Sequence, residues 1–336
     1  MRTLRISGLA LRVHVRACVV MGCLLAASAA LALVALSTGS ALSTGDALRT
    51  LFGYGDAATE LVVYTLRAPR VLLALFVGAA LGVGGAVVQS LSRNPLGSPD
   101  VIGVNAGAAA GAVLMILVLG SESGVSLGAL VCGLAAGLLV YALSFRRGVK
   151  GTRLVLVGVG VTAMLHSLIA YLLTRADLYE SQGAKVWLIG SLAGASWERV
   201  WPVALAVVAG LPVALGLSRS AALMEMGDAA AGALGLRVER LRLVLLLIAV
   251  GLSGVAVSSA GPVGFVALAA PQLARRVTRA PGPGIASSAA MGALLLGAAD
   301  LVAQRLPTPG QLPVGVLTGG LGGLYLAWLL YREWRR

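Results

Sequence analysis

Apolar residues in this chain run in long stretches that short polar segments separate. A helix that crosses a bilayer needs about 20 mostly apolar residues. On this criterion we predict ten membrane-spanning helices. Their predicted ranges are 17–37, 70–91, 101–119, 124–144, 154–174, 199–218, 241–260, 263–279, 286–306 and 313–331. An even number of spans places both termini on the same side of the membrane.

The first apolar stretch, 17–36, has two interpretations. Four arginines precede it and small residues follow it near Ser40 and Ala41, as in a secretory signal peptide. The apolar core of a signal peptide, however, has about 7 to 15 residues, and this stretch is longer. Because many further spans follow, we interpret it as a retained first helix.

The composition indicates an integral membrane protein without a separate soluble domain. Hydrophobic residues make up 58% of the 336 residues and charged residues 12%, whereas soluble domains average about 45–50% and about 25%. In a soluble protein the net charge of +13 would suggest nucleic acid as a partner, but here the basic residues are scattered over loops and aromatic residues are few. We therefore expect contact with the lipid bilayer and none with nucleic acid.

Basic residues cluster at alternate ends of the predicted spans. If both termini are cytoplasmic, 19 of the 26 lysines and arginines lie on the cytoplasmic side. Basic residues are retained on that side, and the opposite orientation would reverse the bias. We therefore predict a multi-pass protein of the bacterial cytoplasmic (inner) membrane. The residues counted inside are Arg2, Arg5, Arg12, Arg16, Arg93, Arg146, Arg147, Lys150, Arg153, Arg219, Arg237, Arg240, Arg242, Arg275, Arg276, Arg279, Arg332, Arg335 and Arg336.

Small residues and prolines shape the predicted spans. Many of the 45 glycines lie four residues from another small residue, as in 78–82 and 103–111, and such faces let helices approach closely in lipid. Prolines interrupt or follow several spans, for example at Pro95, Pro262 and Pro271. Non-helical backbone at membrane depth is tolerated only where protein or water satisfies it. A tightly packed bundle with broken helices is typical of transporters.

The sequence offers no catalytic centre. Neither lysine, Lys150 or Lys185, stands in a phosphate-binding loop of the form Gly-x-x-x-x-Gly-Lys-Ser/Thr. The two histidines are too few for a histidine-based metal site, and the three cysteines lie in apolar runs without ligand spacing. We therefore expect neither enzyme activity nor a metal site. Any nucleotide-driven step would belong to another chain.

The segment 67–111 carries the most specific pattern in the chain. It combines an Arg-x-Pro-Arg entry, a glycine-rich span that ends in Gln89, and the turn Asn94-Pro95-Leu96 before a second glycine-rich span. Three further blocks follow in order, at 227–236, 264–275 and 299–318. Together they resemble the permease subunits of ABC importers for iron-siderophores, haem and cobalamin. Two departures weaken any transfer of cargo identity: Gln272 replaces the usual histidine, and Gly323-Leu324 replaces a Gly-x-Pro turn.

The resemblance implies an all-α type II ABC importer permease of about ten transmembrane helices, which works by alternating access. It implies three partners: a cytoplasmic ABC ATPase dimer, a second permease subunit (the same chain or a paralogue), and an extracytoplasmic siderophore-binding protein. No cofactor is expected on this chain, because the ATPase would use ATP and Mg²⁺. The expected cargo is a ferric siderophore, with haem and cobalamin as open alternatives.

The predicted cytoplasmic segment 219–240 contains the block that matches the family's ATPase-coupling element. Ala229 to Leu234 favour a helix, and a glycine after them offers a stop. An acidic residue at the N-terminus suits the helix dipole. The resemblance implies that this short helix docks on the ATPase; an ordinary amphipathic loop is the alternative. The residues assigned to coupling are Gly227, Asp228, Ala231, Leu234 and Gly235.

Three arginines on the predicted outer side, Arg67, Arg70 and Arg305, match positions where the family presents basic residues to a binding protein. Complementary charge of this kind steers the encounter and sets the register more than it adds affinity. Interfacial anchoring by snorkelling arginines is the alternative.

Six positions within or beside the spans are candidates for the pathway or its gates. They are Gln89, Asn94, Pro95, Asn105, His166 and Asp300. Hydrogen bonding between helices is the alternative for Gln89, Asn105 and His166. A carboxylate at membrane depth is costly and usually paired, so Asp300, with Gln304 four residues on and Arg305 nearby, favours a polar tie near the outer gate.

A secondary transporter driven by protons or sodium is the alternative function. It would account for a carboxylate within a span and for broken helices. It does not account for the Arg-x-Pro-Arg entry or for the block at 227–236.

Overall fold

The computed structural model describes residues 2–6, 9–13, 15–37, 44–51, 53–121, 123–145, 151–306 and 311–334. Part of the charge pattern, at 146–150 and 335–336, lies outside the described residues. Within them the chain is almost entirely helical, which confirms the predicted all-α fold. The departure is an antiparallel hairpin of two strands, β1 (Arg2–Ile6) and β2 (Leu9–Val13), ahead of the first helix.

A helix lies within or across each of the ten predicted spans. These helices are α1 (Val15–Ser37), α4 (Ala68–Ser92), α5 (Val104–Leu117), α6 (Val125–Ser144), α7 (Gly151–Arg175), α9 (Trp197–Glu225), α11 (Val238–Ala260), α12 (Val266–Thr278), α13 (Ile285–Arg305) and α14 (Val314–Trp334). The shorter helices between them are α2 (Thr44–Leu51), α3 (Ala57–Glu60), α8 (Leu178–Leu188) and α10 (Asp228–Ala233). A π-helical segment, Leu61–Arg67, joins α3 to α4.

Two helices are shorter than the predicted spans. Among the described residues, seven helices are long and apolar enough to cross a membrane, but α5 has 14 residues and α12 has 13. Non-helical backbone precedes both: Gly103 (φ 87°) ends the turn before α5, and Phe265 (φ 67°) ends the turn before α12. The predicted spans 101–119 and 263–279 thus each contain a shorter helix that follows irregular backbone.

Helix α4 lies at the centre of the bundle. It packs against α9, α11, α12 and α13. The most apolar window of the continuous helical stretch that contains α4 is 78% buried, whereas that of α7 is 17% buried. Because α4 is enclosed by other helices, anything attached to its two ends is held in a fixed relation by a single rigid element.

Glycine makes the closest of these contacts possible. Gly78 of α4 and Gly292 of α13 face each other, and a Cβ atom on either residue would collide with the carbonyl oxygen of the other. Small residues at such crossings allow backbones to approach closely where packing, rather than water exclusion, holds helices together. The glycine richness of the sequence thus acts at particular crossings.

Candidate functional site

Charged residues in and next to α4 are confined to its two ends. Arg70 lies in the first turn, Arg93 caps the last turn, and no charged residue lies between them. Each arginine meets a carboxylate that is distant in sequence, Asp300 for Arg70 and Asp228 for Arg93. We define the Asp300 cluster as Arg70, Asp300, Gln304 and Gln311, and the Asp228 cluster as Arg93, Asp228, Glu239 and Arg242.

The two clusters are a membrane's thickness apart. At a rise of 1.5 Å per residue, α4 separates Arg70 from Arg93 by about 35 Å. The hydrocarbon core of a bilayer is about 30 Å thick. The clusters therefore lie at opposite ends of a spanning helix, each near one membrane surface.

In the Asp300 cluster a bidentate ion pair ties α4 to α13. Arg70 donates from Nε to Asp300 Oδ2 at 3.0 Å and from Nη2 to Oδ1 at 2.9 Å. Gln304 Nε2 donates to Asp300 Oδ2 at 2.7 Å, and Arg70 Nη1 donates to Gln311 Oε1 at 2.6 Å. The side chains of Arg70 and Asp300 are 14% and 4% exposed, so the pair is almost completely enclosed.

Asp300 forms a polar tie between helices, but its main partner differs from the one that its sequence neighbourhood suggests. Gln304 contacts it from one turn further along α13, at the expected spacing. The cation is Arg70, 230 residues away in sequence. Because the Arg70 guanidinium is engaged inside the chain, a contact with a binding protein would compete with this pair, and that role stays a prediction.

The other two predicted docking arginines lie at the same end of the bundle. Arg67 ends the π-helical segment and donates a hydrogen bond to the Leu36 carbonyl of α1. Arg305 is exposed in the last turn of α13. A cavity of about 280 Å³ opens beside Arg67 and Arg70. The structure thus gathers all three predicted docking residues near the start of α4.

In the Asp228 cluster one exposed carboxylate joins several segments. Arg242 of α11 donates from Nη2 to Asp228 Oδ2 at 2.9 Å and from Nη1 to Glu239 at 2.6 Å. Arg93 donates to Asp228 Oδ1, and its Nε donates to the Met224 carbonyl in α9 at 3.0 Å. Burial by itself would raise the pKa of the Asp228 carboxyl, but the hydrogen bonds and charges of the two arginines outweigh burial and lower that pKa.

Helix α10 is the short helix predicted for the coupling segment. Gly227 (φ 119°) before it and Gly235 (φ 82°) after it adopt backbone conformations that other residues rarely take. Ala231 is buried against the bundle, while Leu234 is 61% exposed. The helix is therefore attached through Asp228 and Ala231 and presents an apolar side chain outward.

The turn that follows Arg93 carries two of the predicted gate residues. Arg93 adopts a left-handed backbone (φ 51°), so α4 ends abruptly there. The Asn94 side chain accepts a hydrogen bond from the Leu96 amide at 2.9 Å. The Pro95 carbonyl accepts a hydrogen bond from Gln272 Nε2 of α12 at 2.7 Å. The turn is thus held between α12 and the Asp228 cluster.

A polar cavity of about 400 Å³ lies beside this turn and is lined by a third gate candidate, Gln89. The Gln89 amide donates to the Leu268 carbonyl at 3.1 Å, and its oxygen accepts a hydrogen bond from Arg275. Gln272 also lines the cavity, and its oxygen accepts a hydrogen bond from the Tyr325 hydroxyl at 3.1 Å. Three predicted gate positions therefore surround one cavity.

Sequence reasoning assigns Arg93 and Arg242 only to the charge pattern and treats Gln272 only as a departure from the family. The structure gives each of them a specific partner. Arg242 has a local signal, because it lies three residues after Glu239, a spacing at which helical ion pairs form. The contact between Arg93 and Asp228 spans 135 residues and leaves no local signal.

The remaining two gate candidates lie apart from both clusters. The side-chain oxygen of Asn105 is buried without a partner among the described residues. Near it, burial raises the pKa of Asp100 to about 6, and hydrogen bonds from Asn105 and Ser98 oppose that shift only in part. His166 is exposed on α7, so it is not a packing residue of this chain's own core.

The polar groups of the site are arranged to position segments. They are ion pairs and hydrogen bonds between helix ends, and within the described ranges no group of three or more His, Cys, Asp or Glu could hold a metal ion. Membrane-length helices, together with irregular backbone that the bundle encloses, are typical of transport proteins rather than of simple membrane anchors.

Comparison with known sequences makes this class more specific. The FecCD transport family matches residues 22–332, and the chain belongs to that family. The predicted resemblance is thereby confirmed, as is the expectation of a transport permease. The chain is a multi-pass protein of the bacterial cytoplasmic membrane.

Relatives match over most of their length. The ferric enterobactin transport system permease protein FepG of Escherichia coli K12 is 46% identical over 287 residues, which cover 85% of this chain and 87% of FepG. The iron(3+)-hydroxamate import system permease protein FhuG of Bacillus subtilis 168 is 38% identical, and the match covers 85% of this chain and 88% of FhuG. A solved metal-chelate type ABC transporter, in an inward-facing conformation, superimposes with a TM-score of 0.84 at 27% identity, covering 93% of this chain and 99% of that one.

Proposed function

We propose that this chain is the permease subunit of an ATP-driven importer that moves a ferric siderophore into the cytoplasm. The observation that carries the proposal is the 46% identity to a permease named for ferric enterobactin. Relatives named for iron-hydroxamate, achromobactin and ferric dicitrate transport support iron chelates as the cargo class. Haem and cobalamin are the alternatives that the experiment must separate.

The importer would contain three further components. These are a cytoplasmic ABC ATPase dimer, a second permease subunit (a copy of this chain or a paralogue) and an extracytoplasmic siderophore-binding protein. The ATPase would use ATP and Mg²⁺, and this chain would bind no cofactor. The exposed, ion-paired helix α10 supports an ATPase contact, because it offers Leu234 on a segment that is too short to be a membrane span.

The orientation follows from the two ends of α4. The end that carries the Asp228 cluster also carries Arg275 and Arg276, which belong to the basic majority of the sequence. Basic residues are retained in the cytoplasm, so this end is cytoplasmic and the arginines beside the Asp300 cluster face the binding protein. In alternating access, the ATPases would move α10 and thereby change the gates near the cavity at the end of α4.

Proton or sodium coupling is the competing mechanism. It would need an available carboxylate within the membrane, and Asp300 is the carboxylate that the sequence offers. Its oxygens accept hydrogen bonds from Arg70 and Gln304. Both oxygens are thus engaged by partners inside this chain, which gives no support to Asp300 as a coupling site.

Uptake into proteoliposomes tests the proposal. The chain would be reconstituted with the ATPase, permease and binding protein from its own strain, and uptake of radiolabelled ferric enterobactin, haem and cobalamin compared. We expect iron uptake that needs enclosed ATP, persists with an uncoupler and stops when the ATPase carries a phosphate-loop lysine variant. Uptake that the uncoupler abolishes in the presence of ATP would contradict an ATP-driven importer. Uptake of haem or cobalamin alone would contradict the cargo.

A further inference from the structure

Helix α10 depends on a few contacts for its position. It has six residues, and a helix of this length is not stable by itself in water. Two features attach it to the bundle: Ala231 is buried, and the Asp228 carboxylate is bound by Arg242 on one oxygen and by Arg93 on the other. When α10 moves, the two arginines must therefore move with it, or their ion pairs with Asp228 must break.

The two arginines are held differently. The Arg242 side chain is 7% exposed and is also paired with Glu239 of its own helix, so it is a fixed anchor on α11. The Arg93 side chain is 41% exposed and extends from the C-terminal cap of α4. Arg242 thus fastens α10 to the interior, whereas Arg93 connects α10 to a turn.

That turn is built to transmit a displacement. Arg93, Asn94 and Pro95 are consecutive, so a force on the Arg93 side chain acts directly on the next two residues. The hydrogen bond from the Leu96 amide to Asn94 keeps the turn closed, and the proline ring fixes one of its backbone angles. At its far side the turn is bound to α12 through Gln272.

We infer that the ion pair between Arg93 and Asp228 is the link that carries movement of α10 to the turn beside the 400 Å³ cavity. Arg93 and Asp228 are then positioning residues for the gate, acting through Asn94 and Pro95. The inference rests on the proposed function, in which the ATPases move α10. It assigns coupling to an internal contact of this chain, beyond the surface that meets the ATPase.

The test measures cargo imported per ATP hydrolysed by the complete reconstituted importer, with radiolabelled ferric enterobactin as the probe. Arg93→Gln should lower this ratio by up to about fivefold, the upper end of the factor for an exposed ion pair, while ATP hydrolysis continues. Asp228→Asn, which also breaks the bond to Arg242, should lower it by at least as much. The double variant should be no worse than Asp228→Asn alone, because both lack the contact between Arg93 and Asp228.

Arg279→Gln is the matched control. Arg279 caps α12 with the same left-handed backbone as Arg93, φ 50° against 51°. It is exposed, and in the described part of the chain it makes no ion pair. The ratio of cargo to ATP for this variant should equal that of the wild type. A loss seen only with Arg93→Gln would then not be a general effect of removing one cytoplasmic arginine.

A distance measurement provides a second readout that does not depend on transport. Spin labels at Ala233→Cys on α10 and Leu96→Cys on the turn, in a chain whose own cysteines are replaced, should keep one separation with and without ATP. In the Arg93→Gln background the separation should change with nucleotide, because α10 then moves without the turn. The same separation in both backgrounds would overturn the inference.

Failure of the inference and failure of the proposed function give different results. If the wild-type importer takes up iron with ATP but both variants keep its ratio, the inference is wrong and the function stands. Losses in the two single variants that multiply in the double variant would also overturn it, because the residues would then act separately. If the wild-type complex shows no ATP-driven uptake, the proposed function is wrong.

Discussion

The two ends of α4 use the same chemistry in opposite surroundings. The pair of Arg70 with Asp300 is enclosed, with side chains 14% and 4% exposed, whereas Arg93 and Asp228 are 41% and 48% exposed. Separating an enclosed pair leaves a charge without solvent, while an exposed pair is worth little because water replaces each partner. The difference indicates a permanent tie at the Asp300 end of α4, and at the Asp228 end a contact that adds little to stability and can move together with its segments.

Breaking the enclosed pair should have the largest effect. Asp300→Ala leaves the Arg70 guanidinium enclosed without its counter-charge, and we expect a loss of about 3–5 kcal/mol in the free energy of unfolding. Thermal unfolding of the detergent-solubilised permease measures the loss. Replacing both residues with leucine should recover most of it. An Asp300→Ala permease as stable as the wild type would show that this end is not permanently tied.

Asp100 differs from Asp300 because it is a buried carboxylate without an arginine partner among the described residues. One oxygen of Asp100 is buried without a partner among the described residues, and its pKa is raised to about 6. The folded state therefore disfavours the ionised form, so stability falls as pH rises from about 4 to about 6 and stays lower above that range. Asp100→Asn should be more stable than the wild type at pH 8, by up to about 3 kcal/mol, and equally stable at pH 4. A gain that is the same at both pH values would contradict the raised pKa.

Helix α4 can join the two clusters only if it is held rigidly between its ends. Gly78→Ala should destabilise the permease by about 1–3 kcal/mol, because the methyl group would collide with the Gly292 carbonyl and force α4 away from α13. Gly160→Ala in α7 is the matched control, since a Cβ atom there meets nothing within 4 Å. The control should be neutral or slightly stabilising. Equal thermal midpoints for the two variants would argue against a close crossing.

The smallest effect on stability is expected at the exposed pair. Arg93→Gln removes this pair and leaves the pair of Asp228 with Arg242, so it should change the free energy of unfolding by less than about 1 kcal/mol, although we expect it to lower the coupling of transport to ATP. The pKa of Asp228 is lowered in the fold, so its contribution is present above the ordinary carboxyl pKa and is lost only as pH falls through the lowered value. A pH series at pH 5–8 should show no titration of this contact. Destabilisation as large as that of Asp300→Ala would remove the difference between the two ends.

Helix positions were largely accessible from the sequence, and the differences in helix length have a physical cause. The length of an apolar stretch predicts a helix when that stretch, as a helix, is long enough to cross the bilayer. It overestimates α5 and α12 because glycine and a strained Phe265 replace the first turns of each helix with irregular backbone. Apolar composition alone cannot distinguish such backbone, buried in protein, from a continuous helix.

The candidate site was predictable only in part. The block at 227–236 and the Asn94-Pro95 turn are contiguous patterns, so the sequence shows them directly. Their attachments are not contiguous: Gln272 reaches Pro95 across 177 residues and Arg93 reaches Asp228 across 135. The exposed position of His166 likewise depends on which face of α7 the other helices leave open.

By itself the sequence determined the helical membrane fold, the transport family and the location of the short helix α10, because each depends on local composition or on an uninterrupted motif. Only the tertiary structure decided which charged residues form ion pairs and which of these pairs are enclosed. It also decided that the two pairs lie at the two ends of one helix. The reason is that an ion pair's strength and permanence depend on the distance between partners and on the solvent around them. Both the distance and the solvent exposure are properties of the packed bundle, and neither can be read from the spacing of the residues along the chain.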